Sequence, residues 1–441
     1  MRFIRGLLCA SALAAPAAQA KELLQVYELA RQNDTVVHAA EFARDAAVEV
    51  RPQARALLLP QISGTYGYNK THEKGTQEAF GSPAAPFDSR GTNDGLTVTL
   101  NQSVFNWEYW RRLSQSSDQV ALAQTNYRAA EQNLVLRSAD AYFNVLSAAD
   151  ALRSAEAENQ AVQRQLEQAN KRFEVGLSAI TDTQEAQARY DLTVATVIEA
   201  RQLLDSAKLA LAEITGTAAN PIAPLQDDFP LPAPSPADVN AWIGSAGERN
   251  LDLVASRLIA DIADKEVDVA WARHLPTVGA QAQYGDATSS NSFRSADSKS
   301  DSYGIQVNVP IFAGGATQSQ VRQARATREQ RITELEGRRR LVERQTRDAY
   351  QGVLASAARV KALKQAVLSN TTAMDASETG LQVGARTAVD VLNAQQLLYV
   401  AQRNYYRSRY DYLLAVLRLK AAAGKLGVDD LAEIDRLLVQ S

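Results

Sequence analysis

Three histidines, one cysteine and a scatter of carboxylates are the groups from which covalent or metal chemistry could be built. Their spacing builds none. His38, His72 and His274 stand far apart with no ligand spacing. Cys9 is the sole thiol. The chain shows no Ser-His-Asp order and no glycine-rich phosphate loop, and its Asp and Glu residues are dispersed along helical surfaces. The reading is therefore not an enzyme, with no metal and no cofactor. The informative spacing lies elsewhere, in residues 173–182 (Phe-Glu-Val-Gly-Leu-Ser-Ala-Ile-Thr-Asp) and 381–390 (Leu-Gln-Val-Gly-Ala-Arg-Thr-Ala-Val-Asp). Val175 matches Val383, Gly176 matches Gly384 and Asp182 matches Asp390 at an offset of 208, which also carries Gly216 to Gly424.

The chemistry of these two stretches is conformational. A helix that must end and double back usually needs one residue at positive φ, which Gly supplies without a Cβ clash. Thr181-Asp182-Thr183-Gln184 reads as a capping box that starts the return helix, and Thr387 with Asp390 offers a similar cap. Either stretch alone is an ordinary helix–helix turn, with its carboxylate complementing a helix N-terminus. The duplication of both argues for more.

The elements that position the two turns are duplicated as well. Leu59-Pro60-Gln61-Ile62 is echoed by Leu275-Pro276-Thr277-Val278, and Gln102-Ser103-Val104-Phe105 by Val309-Pro310-Ile311-Phe312. Each half reads helix, strand, loop, strand, long helix, Val-Gly tip, helix. This predicts a first repeat over 21–215 (strands about 61–70 and 94–105, helices 106–173 and 181–213). A second follows over 251–424 (strands about 277–285 and 302–312, helices 316–380 and 387–423). Residues 216–250 read as a proline-rich connector, and residues 425–441 as a C-terminal segment.

Residues 1–20 read as a secretory signal: Arg2 and Arg5, a short apolar core, then Ala18-Gln19-Ala20 as a cleavage site. Leu8 before Cys9 is not small, which argues against lipidation, and removal of the signal leaves no cysteine. Charges are mixed along the helices, so no nucleic-acid face is expected, and no later apolar run could span a membrane as a helix.

Four stretches alternate with period two. Ile62, Gly64, Tyr66 and Tyr68 alternate with Gln61, Ser63 and Thr65; Leu96, Val98 and Leu100 with Thr97, Thr99 and Asn101. Val278, Ala280, Ala282 and Tyr284 alternate with Thr277, Gln281 and Gln283; Tyr303, Ile305, Val307, Val309 and Ile311 with Gln306 and Asn308. One apolar and one polar face is the signature of strands in an outer-membrane barrel, although a soluble sandwich alternates likewise. The polar stretches 70–94 and 285–301 read as extracellular loops. Four strands cannot close a barrel, and open edges are not tolerated in lipid. A membrane sheet of this kind requires several copies around one axis.

The helices are long. Residues 106–173 hold neither Gly nor Pro, which allows on the order of 100 Å of helix. Ala141, Val145, Ala148, Leu152, Ala155, Val162, Leu166, Ala169 and Phe173 follow a three–four spacing with only Asn159 out of place. Val353, Val360, Val367 and Met374 keep a seven-residue spacing in the second half. Between the halves, residues 217–236 hold six of the thirteen prolines and read as extended chain.

Taken together, residues 172–182, Gln102-Ser103-Val104-Phe105, Pro310-Ile311-Phe312-Ala313-Gly314-Gly315 and residues 383–392 resemble the TolC family, the outer-membrane channel-tunnels of Gram-negative bacteria. The resemblance covers nearly the whole mature chain. It implies a mixed, mainly α fold: a homotrimer whose twelve-stranded β-barrel, four strands per protomer, continues into a coiled-coil α-helical barrel. It implies residence in the outer membrane against its lipid, and a role in efflux or type I secretion. The partners would be a periplasmic adaptor and an inner-membrane transporter of RND, MFS or ABC type. By resemblance Val175, Gly176, Leu177, Val383 and Gly384 would dock the adaptor. Asp390 would ring the closed mouth, with Asn393 where the family has a second aspartate. Arg386 would link to Thr181 and Asp182, while Leu381 replaces the tyrosine of a second link. The rival readings are a secreted coiled-coil protein such as an adhesin stalk, and a stand-alone passive pore.

Overall fold

Where the chain lacks helix breakers it runs as unbroken helix. The computed structural model describes residues 22–77, 83–218, 221–292 and 294–439, so the signal segment read at 1–20 lies outside the described residues. The first half contains α1 (Leu23–Asn33), α2 (Thr35–Val48), α3 (Val50–Ala56), β1 (Gln61–Gln77), β2 (Ala85–Phe105), α4 (Trp107–Glu174) and α5 (Ile180–Thr215). After the connector come α6 (Val239–Arg249), α7 (Leu251–Ala272), β3 (Thr277–Asn291), β4 (Ser295–Asn308), α8 (Ala316–Gln382), α9 (Ala388–Ala422) and α10 (Asp429–Asp435). No helix among the described residues is long and apolar enough to cross a membrane. The chain divides into two units: one holds residues 42–126 and 254–338, the other the remainder.

The first unit carries the sheet, antiparallel in the order β1-β2-β3-β4, so β1 and β4 are its edges. Register puts like with like. Ile62 faces Leu100 and Tyr66 faces Leu96, Val98 faces Tyr284, and Ala280 and Ala282 face Ile305 and Tyr303. On the opposite face Gln61 meets Asn101, Thr99 meets Gln283 and Thr277 meets Asn308. Side chains alternate across a strand, so this register gives one apolar and one polar face over all four strands. The apolar face is bare: Ile62 is 71% exposed, Ile305 75% and Tyr303 87%.

The strands overrun the expected boundaries. Residues 70–94 and 285–301, read above as loops, are mostly paired strand, with Lys70 opposite Thr92, Gln77 opposite Ala85 and Ser290 opposite Ser295. The reason is that backbone pairing needs two extended chains rather than an apolar face, so a polar sequence can continue the ladder. At the other end β4 stops at Asn308, short of 312, because Pro310 has no N–H for a ladder. A register shift between Ser103 and Phe105 bends the foot of β2.

The second unit holds residues 127–174 of α4 and 339–382 of α8, together with α5, α9 and the main core, where Leu134, Tyr142, Phe143, Tyr412 and Leu417 are almost wholly buried. Along α4, Ala141, Val145, Ala155, Val162 and Ala169 of the expected seam are buried, Ala148, Leu152 and Leu166 are half-buried, and Phe173, beside the tip, is exposed. Asn159, the residue out of place, donates to Thr193 Oγ1 at 2.9 Å and so forms one polar rung with α5. The proline-rich connector is tied down by side-chain donors, because prolines have no N–H and an extended chain leaves its carbonyls open. Tyr142 donates to the carbonyl of Ala223 at 2.8 Å, Tyr412 to Pro232 at 2.7 Å, Tyr350 to Ala237 at 2.8 Å, and Trp242 to Pro236 at 2.8 Å. Buried Arg409 donates to the carbonyls of Leu225 and Gln226 and lies over the rings of Phe229, Tyr405 and Tyr406.

Candidate functional site

Both hairpin tips close with the same backbone device. At the first, Leu177 N–H donates to Arg172 at 2.7 Å and Gly176 N–H to Phe173 at 2.9 Å, with Gly176 at φ 76°. At the second, Ala385 N–H donates to Gly380 at 2.8 Å and Gly384 N–H to Leu381 at 3.3 Å, with Gly384 at φ 75°. This six-to-one plus five-to-two pair satisfies carbonyls at a helix end, and it needs the left-handed residue that glycine provides. Each turn thrusts apolar side chains outward: Val175 is 69% exposed, Leu177 70% and Val383 75%.

The two return helices start differently. Thr387 is the N-cap of α9, and its Oγ1 accepts from the Asp390 N–H at 3.2 Å while Asp390 Oδ2 accepts from the Thr387 N–H at 2.9 Å. Those bonds, first the backbone one and then that from the Thr387 hydroxyl, hold the Asp390 carboxyl below the usual range, with a smaller pull from Arg386. The expected cap at residues 181–184 does not form. Ala179 takes the extended N-cap conformation and α5 begins at Ile180, so Thr181 is already helical. An N-cap must have non-helical φ and ψ, which bars Thr181 from the role. Asp182 is left in the first turn with its N–H on the Ala179 carbonyl at 3.1 Å and no hydroxyl opposite it.

Arg386 and Asp182, expected as linked residues, line one pocket of about 230 Å³ with Gln165, Gln168, Arg172 and Leu381. Among the described residues no ion pair joins them. Thr181 is exposed and does not line that pocket. Gly380 makes room for Arg386: a Cβ there would lie 2.7 Å from Arg386 Cγ. Asn393 accepts from Arg189 Nη2 at 3.0 Å, and Nη1 of the same guanidinium donates to Gln396 at 2.7 Å, so Asn393 is held across α5 and α9. Sequence reasoning missed Arg189, Gly380 and Ala179. For Ala179 a signal existed, since the 208 offset places it opposite Thr387. For Arg189 and Gly380 nothing in a single sequence marks the partner.

The sheet, the duplicated helices and the paired tips have counterparts. The sequence pattern of the family described as "Outer membrane efflux protein" matches residues 26–217 and 242–425. The chain is 36% identical over 432 residues to outer membrane protein TolC of Escherichia coli (strain K12), covering 95% of this chain and 85% of that one. It is 33% identical over 414 residues to the alkaline protease secretion protein AprF of Pseudomonas aeruginosa, covering 93% and 85%. The fold superposes on the outer membrane protein VceC of Vibrio cholerae with TM-score 0.75 at 20% identity, over 91% of this chain and 96% of that one. It superposes on the Campylobacter jejuni CmeC outer membrane channel with TM-score 0.78 at 16% identity, over 95% and 90%. A family match over both repeats, with relatives alike across almost the entire chain, makes this a member of the outer membrane efflux protein family: a TolC-type channel protein of the outer membrane.

Proposed function

We propose that three copies of the chain assemble into one outer-membrane exit duct that serves efflux, type I secretion or both. The observation that carries this is the sheet: four strands with a bare apolar face, a polar face behind it, and two edges without partners among the described residues. An unpaired edge is too costly in lipid. Pairing β4 of one copy with β1 of the next removes every edge. Two copies would give eight strands, an interior that side chains fill; three give twelve and leave an aqueous lumen lined by Gln, Asn and Thr.

The ends of the coils supply the docking surface in this reading. Val175, Leu177 and Val383 are exposed apolar knobs on otherwise polar helix ends, and they suit a periplasmic adaptor that couples the duct to an inner-membrane transporter of RND, MFS or ABC type. The family description names efflux, and AprF is named for protease secretion. Both cargo classes fit a passive conduit whose energy comes from the inner membrane.

Arg386 forms no ion pair among the described residues and acts on Asp390 only as a minor electrostatic pull, which supports a bond across a protomer boundary to the Thr181–Asp182 region of a neighbour. Asp390 and Asn393 would lie at the mouth that this bond holds shut. The test is single-channel conductance in a planar bilayer, comparing the native chain with Arg386→Ser. A low-conducting native trimer and a variant of several-fold higher conductance are expected, because the substitution removes donors used only in the closed state. Equal conductance would sink the latch, and absence of any channel would sink the duct.

A further inference from the structure

Beneath the sheet most arginines are neutralised. Arg112 donates to Glu108 at 2.8 Å and Arg273 pairs with the same carboxylate at 3.3 Å. Arg111 pairs with Asp268 at 3.3 Å and lies over the Trp107 ring at 5.1 Å. Two are different. Arg51 and Arg55, one turn apart on α3, are exposed and have no ion pair among the described residues. They line a groove of about 900 Å³ whose other walls are Pro52, Leu58, Leu59, Trp110 and Leu113, with no carboxylate.

The position of this groove is fixed against the sheet. Gln61, the first residue of β1, donates to the Ala56 carbonyl at 2.8 Å, and Gln102 of β2 donates to the Leu58 carbonyl at 2.9 Å. The bare apolar face begins at Ile62, so the groove lies just below the level where hydrocarbon would start. Trp110, 52% exposed, stands in its wall. At that depth Trp sits at the interface, a guanidinium forks onto phosphate oxygens, and leucines meet the first acyl carbons. Two unpaired positive charges select a headgroup of net negative charge.

We propose that this groove binds one anionic glycerophospholipid of the periplasmic leaflet, with Arg51 and Arg55 on the phosphodiester and Leu58, Leu59, Leu113 and Trp110 along the start of an acyl chain. The proposal rests on the outer-membrane reading and adds a specific site to it.

The test uses the full chain reconstituted in phosphatidylcholine bilayers with added phosphatidylglycerol, brominated near the glycerol end on the phosphatidylglycerol alone. Tryptophan fluorescence of the native protein minus that of Trp110→Phe isolates Trp110. Its quenching should saturate as phosphatidylglycerol rises, and the phosphatidylglycerol needed for half-quenching should increase about fivefold or more in Arg51→Gln/Arg55→Gln. An Ile305→Trp reporter on the apolar face should be quenched by brominated lipid of either headgroup, with or without the arginines. Quenching at position 305 with none at Trp110 means that another protein surface covers the groove, and overturns the site alone. Equal titrations with and without the two arginines also overturn it. No quenching at position 305 overturns the membrane reading and the site with it.

Discussion

Thr387 and Asp390 exchange hydrogen bonds across the first turn of α9, 3.2 Å in one direction and 2.9 Å in the other. At the matching positions of α5 the pair is Ala179 and Asp182, and the exchange is missing. The two tips share their glycines and their backbone closures but differ in how firmly the return helix starts. Placing threonine at 179 should restore the box. Ala179→Thr is expected to stabilise the start of α5 by about 1 kcal/mol, and Thr387→Ala to weaken α9 by a similar amount. Hydrogen exchange of the first-turn amides, slower in one variant and faster in the other, checks both.

Acid should loosen the second tip first. The Asp390 carboxyl has a folded pKa held below its ordinary 3.8 by the bonds from Thr387. A depressed carboxylate contributes stability that is complete above the unfolded pKa and is lost as pH falls through the folded one. Exchange of the amides at the start of α9 should therefore accelerate, beyond its intrinsic pH dependence, only below about pH 4. Asp390→Asn should remove that extra acceleration; an unchanged profile in the variant would show that another group drives it.

Gly424 is predicted to be the least replaceable glycine in the main core of the second unit. It has φ 66°, and a Cβ there would lie 2.4 Å from the Arg249 carbonyl carbon and oxygen. Backbone atoms cannot swing aside as a side chain can. Gly424→Ala should cost upward of about 2 kcal/mol, from the left-handed strain and the clash together. Gly176→Ala at the open tip, where nothing lies within 4 Å of the same atom, should cost only about 1 kcal/mol. Urea denaturation of the two variants ranks them.

Loss of a connector tie should cost more than one hydrogen bond. Tyr142 is fully buried, and its hydroxyl, with a pKa raised chiefly by burial, serves the Ala223 carbonyl as a neutral donor. Tyr142→Phe leaves that buried carbonyl unsatisfied, a penalty of roughly 1–3 kcal/mol. Limited proteolysis should cut the connector of this variant faster than that of the native chain. Cutting at native rates would mean that the remaining ties at Pro232, Pro236 and Ala237 hold the segment alone.

Read alone, the chain determined what local sterics and periodicity control. Glycines 176 and 384 mark the turns because few other residues adopt that φ. Residues 107–174 form one helix because no Gly or Pro breaks it, and period-two alternation sorts the strand faces. Asn159 announced itself as a fault in the seam. The tertiary structure decided whatever depends on a distant partner. It carried the strands through polar sequence, because a ladder is completed by the opposite chain. It placed the α5 cap at Ala179 rather than Thr181, because the tip geometry sets where extended backbone ends. It set Asn393 against Arg189, 204 residues away, and clamped the connector with tyrosines whose own surroundings give no hint of it. Such pairings are contacts between remote parts of the chain, and only the folded backbone brings them within reach.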